Sequence, residues 1–125
     1  MENQEKQAYQ LEYEIFIKNY KKGITSGEEI GFIISKLAQY YAGTNMEVGR
    51  TEDVFNKIFA ETINSVDASG KPISAAKAKI DADATQEASE LRNSKIHLDN
   101  IQQYINSMKS LQRGVLAEQG FAGGV

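Results

Sequence analysis

The chain has 125 residues, with 14 basic and 17 acidic side chains, a formal charge of −3, one proline and no cysteine. That length suits one domain, the charge offers no broad basic field for nucleic acid, and the lack of cysteine excludes disulfides, thiolate nucleophiles and cysteine-ligated zinc. The polar start Met1–Gln10 differs from a secretory leader and no stretch reaches the ~18 apolar residues of a membrane span, so a cytoplasmic setting without membrane contact is expected.

The first predicted helix runs from Gln4 to Lys22. Ala8, Leu11 and Ile15 form one stripe and Tyr9, Tyr13, Phe16 and Tyr20 a neighbouring one, an apolar face wide enough to be wedged between other helices. Lys21 and Lys22 suit the negative end of the helix dipole, and Gly23 can supply the left-handed residue that stops it. The aromatics read either as a stacking platform for bases or as packing. An acidic chain favours packing.

A capping box, Ser26 with Glu29, opens the second predicted helix, and Glu28 suits its positive end. Ile30, Ile33, Ile34, Leu37 and Tyr41 form its buried stripe and Gly43 is the expected terminator. Gly27 and Gly31, four apart, point to a close helix crossing. A third helix is expected from Met46 or Thr51 to Val66, with Val48, Phe55, Ile58, Phe59, Thr62 and Ile63 inward. Asp67–Pro72 is the clear loop, because Gly70 permits positive φ and Pro72 blocks helix. Its Gly70-Lys71 pair lacks the remainder of a phosphate-binding motif, so a plain turn is expected.

Ser74 is the predicted N-cap of one long helix, 74–118. Its alanine-rich start (Ala75, Ala76, Ala78, Ala82, Ala84, Ala88) allows close approach by another helix. Leu91, Leu98, Ile101, Ile105, Met108 and Val115 then recur at spacings of three, four and seven, a coiled-coil-like seam on a segment of roughly 65 Å at 1.5 Å per residue. A helix of that length exceeds a small domain's diameter, which predicts that part of the seam meets a second copy or another protein. Lys109 and Arg113 suit the carboxyl end, and residues 119–125 are expected to be a flexible tail, in which Phe121 is the one bulky group.

No catalytic or metal constellation emerges. His97 is the single histidine, and Asp81, Asp83, Glu87 and Glu90 have the spacing of a solvated acidic surface rather than a ligand set. The expectation is therefore a non-enzyme without cofactor: an all-α single domain over 1–118, three shorter helices packed with one long C-terminal helix, acting through helix-mediated association.

The stretches Gly27-Glu28-Glu29-Ile30-Gly31, Leu37-Ala38-Gln39-Tyr40-Tyr41, Ile73-Ser74-Ala75-Ala76-Lys77-Ala78, His97-Leu98-Asp99-Asn100-Ile101-Gln102-Gln103-Tyr104-Ile105-Asn106 and Lys109-Ser110-Leu111-Gln112-Arg113-Gly114 resemble a group of small helical proteins of tailed bacteriophages. The resemblance implies a phage protein, either a virion component or an accessory protein in the infected host's cytoplasm. Three roles follow. The first is a structural or adaptor subunit that joins copies of itself or another phage protein through the seam. The second is an accessory binder of a host protein or small nucleotide, with Tyr9, Tyr13, Tyr20, Lys21, Lys22 and Arg50 stacking on and neutralising the ligand. The third is a nucleic-acid helper using Lys77, Lys79, Lys109 and Arg113.

Overall fold

The computed structural model describes residues 6–21, 23 and 26–123, with side chains through 118; Lys22, residues 124–125 and the side chain of Phe121 lie outside the described residues. The fold is all-α. Four helices carry it: α1 (Ala8–Lys21), α2 (Gly27–Ile63), α3 (Ala75–Asp83) and α4 (Gln86–Gly123). Among the described residues the one β contact is an isolated bridge between Val66 and Pro72.

Local chemistry sets several boundaries where the sequence places them. Gly23 adopts φ +77° and its N–H donates to the Tyr20 carbonyl at 2.9 Å, ending α1. The Ser26 hydroxyl accepts from the Glu29 N–H at 3.3 Å to open α2, and the Ser74 hydroxyl accepts from the Lys77 N–H at 3.1 Å to open α3. Between α2 and α3, one oxygen of Asp67 accepts from the Ser69 N–H, the Ser69 hydroxyl and the Lys71 N–H at 2.9, 2.6 and 3.0 Å. With Gly70 at φ +82°, this is a self-satisfied Asx turn.

The partition into helices differs from expectation in three places. The second and third predicted helices are one, because Gly43 keeps helical backbone and α2 continues for 37 residues. Thr51, expected as a helix start, is buried, and its hydroxyl donates backward to the carbonyls of Glu47 and Val48 at 2.9 and 3.1 Å. That is the behaviour of a residue inside a helix. The predicted long helix 74–118 is instead two. After Ala84 donates to Ile80, the Thr85 N–H turns to the Ala82 carbonyl at 3.2 Å, and the Thr85 hydroxyl accepts from the Ala88 N–H at 3.2 Å as the N-cap of α4. Arg92 donates to the Asp83 carbonyl at 3.2 Å, satisfying an acceptor at the end of α3. The expected tail also begins later, since helical backbone runs to Gly123.

The chain forms two compact units, residues 1–42 with 100–125, and residues 43–99. In the first, Tyr9 of α1, Ile30, Ile33 and Leu37 of α2, and Ile101, Ile105 and Met108 of α4 make the core, with Tyr13, Phe16, Ile17, Tyr104, Leu111 and Val115 packed around it. Gly31 lies where an added Cβ would be 3.3 Å from the Gln112 amide nitrogen, so the small residue does mark a close approach to α4. In the second unit the buried residues are Thr51, Ala78, Ala82, Ala88 and Leu91. The alanines thus provide a thin surface for close packing, while Phe55 and Phe59 lie half-buried with rings 6.4 Å apart.

Candidate functional site

The seam of α4 is placed inside the protein. Ile101 is wholly buried, Ile105 and Met108 nearly so, and Val115 packs against them, all covered by α1 and α2 within the first unit. In the second unit Leu91 is buried and Leu98 half-buried. Of the expected interface residues, Leu91, Ile101, Ile105 and Met108 are thus buried within the protein itself, while Leu98 and Val115 keep part of their surface. The argument from length assumed one long helix beside three short ones, whereas α2 has 37 residues against 38 in α4, and its stripe Ile30, Ile33 and Leu37 supplies the missing partner.

The proposed ligand-stacking set is not brought together. Tyr9 is 3 % exposed, and its ring lies tilted 6.4 Å from that of Tyr40 and 5.8 Å from that of Tyr104. Tyr13 is stacked on Tyr104 at 3.9 Å with planes 3° apart, so the face a base would use is taken by a neighbour. Burial pushes the phenols of Tyr9 and Tyr104 upward, against a hydrogen bond from Asn100 at Tyr9, and keeps both neutral. Tyr20 and Lys21 are exposed at the end of α1. Arg50 belongs to the second unit, where Glu47 holds its guanidinium and is itself held below the usual carboxylate range by that hydrogen bond. Among the described residues, no group of three or more histidine and carboxylate side chains gathers as a metal site. No helix there is long and apolar enough to cross a membrane.

What the first unit leaves uncovered includes Leu116 of α4, 52 % exposed, and an outer face of α1 and α2. Tyr9, Tyr13 and Phe16 turn the aromatic stripe of α1 inward, which leaves the other stripe, Leu11 and Ile15, 47 % and 59 % exposed. On α2, Phe32 is 65 % exposed. Phe16, Phe32 and Ile33 line a groove between the two helices with Glu28 and Glu29 beside them. The helices are tied together next to this groove by Lys36, whose ammonium donates to Glu12 at 2.9 Å and lies 5.7 Å from the centre of the Phe32 ring. The hydrogen bond to Glu12, then its charge, raises the Lys36 pKa and keeps the ammonium charged.

The stripe of Leu11 and Ile15 is legible in the sequence, but Phe32 is not assigned by periodicity because it falls between the inward positions Ile30, Ile33 and Ile34. A phenylalanine on the polar side of an amphipathic helix is the signal that could have found it. The arrangement has neither nucleophile nor paired acid and base; it offers apolar surface with an anionic border. No family model matches the chain, and neither a curated protein nor a solved structure shows significant similarity to it.

Proposed function

We propose that the protein is a non-enzymatic structural or adaptor protein of a tailed bacteriophage, in the virion or the host cytoplasm, acting by helix-mediated association with copies of itself or another phage protein. The association surface is the outer face of α1 and α2 rather than the seam of α4. What supports this reading is the contrast within the first unit: Ile101, Ile105 and Met108 of the seam are buried in the protein's own core, while Leu11, Ile15 and Phe32 on neighbouring helices keep about half or more of their surface in water. Extended exposed apolar surface on a folded domain is a mark of interaction sites.

Sedimentation of the protein alone and mixed with virion proteins tests the reading. Ile15→Asp combined with Phe32→Asp removes the higher-mass species that the wild type forms and leaves the helical fold intact. A wild type that remains a monomer in every mixture, or a double variant that still associates, overturns it.

A further inference from the structure

The border of the groove specifies the chemistry of what it receives. Glu28 and Glu29 are exposed beside Phe32, and neither has an ion-pair partner among the described residues, where the pairs are Lys6–Glu14, Lys36–Glu12, Arg50–Glu47 and Lys79–Asp83. Both stand in the first turn of α2. The Phe32 ring already attracts one cation, Lys36, and still has 65 % of its residue surface free. Phe16 and Ile33 line the groove with it. Apolar walls with an anionic rim suit a helix that carries an apolar anchor flanked by cations.

We propose that the groove between α1 and α2 receives an amphipathic helical segment of another protein, which sets an apolar side chain between Phe16 and Phe32 and places lysine or arginine side chains on Glu28 and Glu29. A second copy is the poorer occupant. In a groove-to-groove contact a copy would bring Lys36, whose ammonium is engaged by Glu12, together with its own Glu28 and Glu29, so like charges would face each other. An anionic membrane surface is disfavoured by the same two carboxylates.

The inference rests on the outer face of α1 and α2 being the association surface, and it is tested with the whole protein and two labelled, alanine-based helical peptides. Both carry leucine at positions i and i+4; one has lysine flanks and the other glutamate flanks. Fluorescence anisotropy is expected to show the lysine peptide binding about tenfold or more tightly than the glutamate peptide, and weakening as sodium chloride rises from about 0.05 to about 0.5 M. Phe32→Asp, and Glu28→Lys with Glu29→Lys, each weaken the lysine peptide by about tenfold or more with helicity retained. Glu28→Gln with Glu29→Gln gives the same direction should the lysine pair disturb the start of α2.

Equal binding of the two peptides, binding of neither, or indifference to the charge substitutions overturns the proposal. So does a concentration-dependent dimer that Phe32→Asp abolishes, since a second copy would then fill the groove. If the peptides fail while Ile15→Asp with Phe32→Asp still removes association, the surface stands and the basic partner falls.

Discussion

Replacing Thr85 by alanine should cost the protein about 1 to 2 kcal/mol, the usual range for losing a threonine N-cap. The hydroxyl has two roles at the joint between α3 and α4: it accepts from the Ala88 N–H at 3.2 Å and donates to the Ala82 carbonyl at 2.7 Å. Alanine at this site leaves one amide of the first turn of α4 without its acceptor and one carbonyl of the last turn of α3 without its side-chain donor. The surrounding residues Ala82, Ala84 and Ala88 are strong helix formers, so the variant can recover a few tenths of a kcal/mol by extending helix across 84 and 85. For 125 residues, an unfolding entropy of about 2.1 cal/mol/K per residue makes each kcal/mol worth roughly 4 °C in Tm, so a fall of about 3 to 8 °C is expected. Far-ultraviolet circular dichroism melts of the wild type, Thr85→Ala and Thr85→Ser measure it. Serine keeps the hydroxyl and should recover most of the loss. A Thr85→Ala melt within about 1 °C of wild type, below the loss of any cap, or a serine variant as unstable as the alanine one, would refute the assignment of this break to the cap.

Two further outcomes follow from the second unit. Ala82 is fully buried on α3, so Ala82→Leu should destabilise by about 1 to 3 kcal/mol through overpacking, while Ala84→Leu at the exposed joint stays within about 0.5 kcal/mol in urea titrations. The Asp67 carboxyl is held below the usual aspartate range, first by the Ser69 hydroxyl and then by the Lys71 N–H. Its stabilising effect is thus present above the unfolded pKa and is lost as pH falls through the lower folded value. Carbon-detected titration should show Asp67 protonating below an ordinary aspartate, with amide exchange at Ser69 and Lys71 rising in that acid window; an ordinary midpoint would contradict the turn described here.

The parts of the fold that were legible in the sequence are those decided within a few residues. Ser26, Ser74 and Gly23 announce caps because a hydroxyl or a missing Cβ acts on its own backbone neighbours, and Asp67–Pro72 announces a turn for the same reason. Gly43 and the break at Ala84 mislead in opposite directions, since packing overrides the one and a single hydroxyl decides the other. Tyr41, Thr44 and Val48 are half-buried on one face and carry α2 past a glycine that looks like a stop, while Thr85 interrupts a stretch rich in alanine. The stripes of α1, α2 and α4 were each visible, but which stripe covers which is a long-range matter. Pairing Ile101, Ile105 and Met108 with Ile30, Ile33 and Leu37 consumes the seam that looked like an interface and leaves Leu11, Ile15 and Phe32 outside.

The most direct test of that assignment compares two aspartates. Ile105 is 7 % exposed inside the core and Phe32 is 65 % exposed on the groove. Urea unfolding of the protein alone, and sedimentation velocity of its mixture with virion proteins, are measured on Ile105→Asp, Phe32→Asp and wild type. Ile105→Asp buries an unpaired charge and should lose about 4 kcal/mol or more, melting the helical fold, whereas Phe32→Asp should stay within about 0.5 kcal/mol of wild type and lose its association with the virion proteins instead. The reverse result, an Ile105→Asp variant as stable as wild type that loses only its higher-mass species, would contradict the account and return the seam of α4 to the role of interface.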